Sequence, residues 1–150
     1  MGNGATGFSE QTAAAIQRVR RHSLGDLLHR TAVRYPGKTA VVDGDTRWTF
    51  AEFDAAVNRC AAALAEQGLA KGDRLALLSH NCRQFAVLVY ATARLGVVLV
   101  PINFMLNAEE IAFILDHSGA TAFVVEDALA ATGEKALAQS SEPASVRAWI

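Results

Sequence analysis

Gly2, Gly4 and Gly7 stand at the G-x-G-x-x-G spacing that lets backbone N–H groups cradle a pyrophosphate. That chemistry needs a strand before the loop and a helix after it. Only Met1 precedes these glycines, so the spacing reads as chance in a terminus of small residues. Met1-Gly2 with Thr6 also fits a myristoylation pattern and is read the same way. The histidines are His22, His29, His80 and His117, and none stands at metal-ligand spacing from a cysteine or another histidine. His80 has the most suggestive place, just past a strand-like run, where α/β sheets put their ligands. A residue just before a helix cap is more simply structural. Glu109 and Glu110 are adjacent on a first helical turn, where negative charge complements the dipole; acid–base work would need a shared cleft. Neither a G-x-S-x-G elbow nor a G-x-x-x-x-G-K-[ST] loop occurs. No residue is assigned a catalytic, cofactor-binding or metal-binding role.

Composition narrows the partners. Apolar residues make up 51% and charged ones 19% of the 150, which is globular rather than disordered. With a net charge of −1, nothing calls for nucleic acid. The one basic cluster, Arg18, Arg20 and Arg21, reads as a solvated face, with a surface anchor or subunit contact as the sharper alternative. Cys60 and Cys82 are too few for a disulfide framework; both fall in helical patterns and read as small apolar side chains. The longest apolar run, from Phe85 to Ala91, is far short of the ~20 residues that cross a bilayer. The start of the chain lacks the pattern of a secretory signal. These features lead to a cytoplasmic expectation, with peripheral membrane attachment as a variant.

The elements follow from periodicity and punctuation. Residues 1–22 read as a flexible arm with a weak helical stretch at 13–21. Leu24, Leu27, Leu28, Ala32 and Tyr35 recur at helical spacing, with a Ser23–Asp26 capping box before them and Pro36-Gly37 after. Asp43-Gly44 signals a hairpin between short runs at 39–42 and 47–50. Thr49 with Glu52 caps the next helix, stapled by Trp48 and Phe53; Phe53, Val57, Cys60, Ala61 and Leu64 form its stripe and Gly68 its end. After a turn at Lys71-Gly72-Asp73, residues 74–79 read as a strand buried on both faces. Asn81 with Gln84 at N3 is expected to cap a helix that is apolar almost all round, hence sandwiched between layers. Residues 97–100 form a strand, and Asn107 with Glu110 caps a helix whose inner face is Ile111, Ile114 and Leu115. Residues 121–125 form a strand, a helix runs from Asp127 to about Ala138, and 140–145 read as loop. Short apolar strands alternating with helices give an α/β fold: a partial, mostly parallel sheet with flanking helices.

Four stretches, in order, resemble one family. Trp48-Thr49-Phe50-Ala51-Glu52-Phe53 resembles the first core motif of the adenylate-forming (AMP-binding) superfamily. Lys71 to Asn81 resembles its "GDRVAILSPN" stretch, with His80 where Pro is usual. Ala93 to Asn103 resembles the second core motif, and Leu106 to Gly119 is similar to "RLTPEEIAYILEDSGA". Pro101-Ile102-Asn103 resembles acyl-CoA synthetases rather than peptide-synthetase domains. The resemblance spans about 24–126 and implies a fatty-acid-type CoA ligase. Such an enzyme activates a carboxylic acid, expected to be a fatty acid, with Mg-ATP to an acyl-adenylate, and CoA then takes the acyl group as a thioester. ATP, Mg and CoA are thus implied for a full-length enzyme, and none for this segment. The family's Ser/Thr/Gly-rich loop ending in Lys, adenine loop, ribose-binding Asp and C-terminal Lys find no match in 1–150. Residues 23–150 are therefore expected to be a partial AMP-binding domain: scaffold, inactive alone, in a protein that could self-associate.

Two further readings of this segment stand beside that one. It could be a non-catalytic interaction module, because a partial α/β unit leaves a sheet edge and apolar helix faces uncovered. It could also belong to a fatty-acyl-AMP ligase that releases the adenylate. A flavodoxin-like nucleotide domain has the same element order but wants a phosphate loop after a strand.

Overall fold

A computed structural model describes residues 23–141 together with Thr12. The glycine triplet, the Arg18–Arg20–Arg21 cluster, His22, the 13–21 stretch and residues 142–145 lie outside the described residues.

Among residues 23–141 the first element is helix α1 (Leu24–Arg34), followed by strands β1 (Thr39–Asp43) and β2 (Thr46–Thr49) and helix α2 (Phe50–Glu66). Strand β3 (Arg74–Leu78), helix α3 (Arg83–Leu95), strand β4 (Val98–Ile102), helix α4 (Ala108–Ser118) and strand β5 (Ala122–Val125) follow. A 3₁₀ turn at Asp127–Leu129 leads into helix α5 (Ala130–Gln139).

β1 and β2 pair antiparallel, while β3, β4 and β5 form a parallel sheet in the order β4-β3-β5. The central strand is thus the first in sequence. The crossover through α3 goes to one side and the next, through α4, spans β3 to reach the other side. Right-handed crossovers in opposite directions put the two helices on opposite faces.

Side-chain alternation along the strands divides the core the same way. Leu75, Leu77 and Ala122 meet Leu28, Phe53, Val57, Leu64 and Val87 from α1, α2 and α3. Ala76, Leu78, Phe123, Val125 and Ile102 meet Ile111, Leu115 and Ala136 from α4 and α5. All four of Leu75, Ala76, Leu77 and Leu78 are buried, as expected for a strand covered on both faces. Burying a side chain such as Leu77 on one face or Leu78 on the other contributes about 1.5–3 kcal/mol, so the central strand anchors both cores.

Caps follow the local signals in most places. Thr49–Glu52 and Asn107–Glu110 form reciprocal capping boxes. Gly68 (φ +87°) ends α2 with Leu69 N–H donating to Leu64 and Gly68 N–H to Ala65, the pairing of a left-handed glycine stop. Gly119 closes α4 in the same way.

Five expectations need correction. The hairpin loop is Gly44-Asp45, one residue later than Asp43-Gly44, because Asp43 pairs with Thr46 and the glycine takes the first loop position with φ +56°. Ser23 accepts the Asp26 N–H, but its hydroxyl, rather than its backbone, meets the Asp26 carboxylate. α3 begins after Cys82, not Asn81, with no side-chain cap of its own. Cys82 is therefore a cap residue and not part of the helix. On α1 only Gly25, Leu28 and Ala32 are buried, while Leu24, Leu27 and Tyr35 stay exposed, because α2 and α3 cover the helix from one side only.

Candidate functional site

The carboxyl ends of parallel strands, where the strand order reverses, are the place an α/β sheet offers a ligand. Here that point lies between β3 and β5. In-register pairing of Leu78 with Val125 sets Ser79 and His80 beside Glu126.

One oxygen of Glu126 collects the contacts. Its Oε2 accepts the His80 backbone N–H at 2.8 Å, lies 3.0 Å from the His80 ring Nδ1, and accepts the Ser79 hydroxyl at 3.2 Å. The backbone and ring donors of His80 hold the Glu126 carboxyl below the usual carboxylate range. The His80 ring also stacks on Phe104 from the β4–α4 loop, with centroids 4.1 Å apart. Three strand-end loops therefore meet on one imidazole. A crevice of about 410 Å³ opens beside them, lined by Leu77, Ser79, Phe85, Leu88, Glu126 and Asp127 among others.

Serine, histidine and glutamate together invite a hydrolase reading, and the geometry rejects it. The Ser79 hydroxyl shares its one proton between the His80 carbonyl (2.8 Å) and the Glu126 carboxylate (3.2 Å), and does not offer it to the imidazole that would have to take it. Ser79 is also buried.

The remaining sequence candidates are scattered. His29 is exposed on α1 with Nδ1 3.2 Å from Asp54. His117 stacks on Phe113 in the last turn of α4, where its charged form suits the helix dipole. Cys60 and Cys82 are both free, and burial pushes the Cys60 thiol up. Glu110 is the capping-box carboxylate of α4 and Glu109 its exposed neighbour. Among the described residues no group of three or more His, Cys, Asp or Glu is arranged to hold a metal ion. None of their helices is long and apolar enough to cross a membrane.

Two features were missed by sequence reasoning. Glu126 directly follows an apolar strand, and its role becomes readable only once β5 is paired parallel to β3. The second is an apolar groove of about 550 Å³ along α2, α3 and β5, lined by Trp48, Cys60, Leu64, Val87, Leu88 and Val124 among others.

Residues 28–148 match the family described as AMP-binding enzyme. The chain belongs to the AMP-binding enzyme family. It is 40% identical over 130 residues to the long-chain-fatty-acid–CoA ligase FadD13 of Mycobacterium tuberculosis, covering 85% of this chain and 26% of that one. The human mitochondrial medium-chain acyl-CoA ligase ACSF2 is 32% identical over 120 residues, covering 79% of this chain and 20% of its own length. An inhibitor-bound crystal structure of the N-terminal domain of FACL13 from Mycobacterium tuberculosis superposes with a TM-score of 0.81 at 40% identity, over 85% of this chain and 33% of that one. The chain thus spans about a quarter or less of these curated relatives.

Family membership implies a nucleotide and, with ATP, magnesium, but the described residues fit neither. The N-terminus of α3, which follows β3 and could meet a phosphate, is occupied by the Asp43 carboxylate, which accepts the Arg83 N–H at 3.2 Å. The N-terminus of α4 is closed by its own capping box. Glu126 places negative charge at the strand ends.

Proposed function

We propose that this chain is the scaffold portion of an ATP-dependent acid–thiol ligase that converts a fatty acid to an acyl-adenylate and then to its CoA thioester. The observation that carries this is the 40% identity to FadD13, maintained across 85% of the chain together with the fold. Residues 23–150 then form part of the AMP-binding domain and residues 1–22 an arm before it. The adenylation chemistry, with ATP, magnesium and CoA, belongs to parts of the ligase other than residues 23–141. The apolar groove beside α2, α3 and β5 supports this reading, since a complete domain covers such a face. A cytoplasmic location belongs to the same reading.

The test is a product assay on the longer protein that carries this sequence. Incubation with ATP, magnesium, CoA and fatty acids of graded length is expected to yield acyl-CoA. Accumulation of acyl-adenylate with CoA untouched would move the chain to the acyl-AMP ligases. No acid-dependent consumption of ATP would end the ligase reading.

A further inference from the structure

We propose that the exposed flank of α1, together with the basic sequence around it, is a docking surface for an anionic lipid bilayer.

The fold uses only part of α1. Gly25, Leu28 and Ala32 are buried, whereas Leu24 and Leu27 are 44% and 57% exposed. Leu24, Leu27, Thr31 and Arg34 recur at three- and four-residue spacing, so they share one flank of the helix beside the buried face. Just past the helix Tyr35 is 44% exposed, and the Lys38 ammonium lies 4.4 Å from its ring centroid. A ring paired with a lysine is apolar at one end and charged at the other, which suits the headgroup level of a bilayer.

Charge decides what this flank meets. Between positions 11 and 42 the basic residues are Arg18, Arg20, Arg21, Arg30, Arg34 and Lys38, and the one acidic residue is Asp26, whose carboxylate accepts the Ser23 hydroxyl. The stretch thus carries a net charge of +5 in a chain whose total is −1. Repulsion between two such faces keeps a second copy away. A nucleic acid would take the cations and leave Leu24 and Leu27 in water. An anionic bilayer takes both, because phosphates lie over hydrocarbon at its surface. A ligase held there would meet a fatty acid in the bilayer; that consequence alone rests on the ligase reading, and vesicle binding is measured without it.

The experiment is co-sedimentation of the longer protein that carries this sequence with vesicles of phosphatidylcholine alone and of phosphatidylcholine mixed with phosphatidylserine. Binding to the mixed vesicles only, released as salt rises, is the expected result. Leu27→Ser, and Arg34→Glu combined with Lys38→Glu, are each expected to weaken it about tenfold or more. Phe113→Ser, at an exposed position of α4, is expected to leave it unchanged. Should Leu27→Ser fail to fold, Leu27→Ala decides by the same criteria. No binding to the mixed vesicles, equal binding to both compositions, or variants that bind like the wild type overturn the proposal. Weakening in the charge variant alone overturns it too, since hydrocarbon is then not engaged. So does tighter binding to a DNA duplex than to vesicles at the same salt, which would give the face to nucleic acid.

Discussion

The Asp43 carboxylate accepts the backbone N–H of Arg83 at 3.2 Å and meets the guanidinium of the same residue at 3.3 Å. A side chain from the hairpin thus supplies the cap that α3 lacks within its own sequence. Asp43→Ala is expected to cost about 1 kcal/mol, the usual worth of a cap, and to speed amide exchange in the first turn of α3. The guanidinium contact is partly exposed and adds little. Urea denaturation of the 150-residue chain and of the variant measures the cost; an unchanged midpoint would contradict the cap.

Gly25 lets α1 pack closely against the backbone of α3 at Arg94. A Cβ there would lie 2.9 Å from Arg94 Cγ and 3.0 Å from Arg94 Cα, and a backbone atom cannot swing aside. Helix propensity alone favours Ala over Gly by about 1 kcal/mol, but overpacking of this kind costs about 1–3 kcal/mol, so the steric effect wins. Gly25→Ala is expected to destabilise, whereas Gly37→Ala, with nothing within 4 Å of the added carbon, is expected to be neutral or stabilising by about half a kcal/mol. Thermal unfolding of the two variants side by side checks the opposite signs.

Asp54 ties three helices together, bonded by Arg94 from α3, His29 from α1 and Asn58 from its own helix. Burial pushes its carboxyl up, and the bonds from Arg94 and His29 outweigh that, leaving it below the ordinary carboxylate value. The sign follows from proton linkage. The unfolded chain binds more protons in the window between the two values, so stability rises with pH there. The contribution is complete above the ordinary carboxylate pKa and is lost as pH falls through the lower folded value. Asp54→Asn is expected to flatten this acid limb in urea midpoints taken across a pH series; an identical slope in both proteins would refute the assignment.

What the sequence made legible was local. Thr49–Glu52 and Asn107–Glu110 are three residues apart, and a capping box declares itself at that distance. Gly68 and Gly119 stop helices with geometry their neighbours dictate. The apolar run of β3 announced burial on both faces. Long-range partners were not legible. Asp43 caps a helix 40 residues away, and Glu126 meets His80 across 46 residues. Neither residue stands in a local pattern that points to its partner. Asn81 looked like the cap of α3 because Gln84 stood three residues on, yet the tertiary carboxylate won and the helix began later. The place of His80 past a strand end is visible in the sequence; its carboxylate and aromatic partners require the order β4-β3-β5, which alternation of elements alone does not fix.

The most direct measurement is ATP–pyrophosphate exchange with a fatty acid, run in parallel on the 150-residue chain and on the longer open reading frame that contains it. Acid-dependent exchange is expected from the longer protein, and none above the protein-free blank from the chain alone. Exchange catalysed by the 150 residues themselves, or a longer protein that exchanges nothing with any acid, would contradict it.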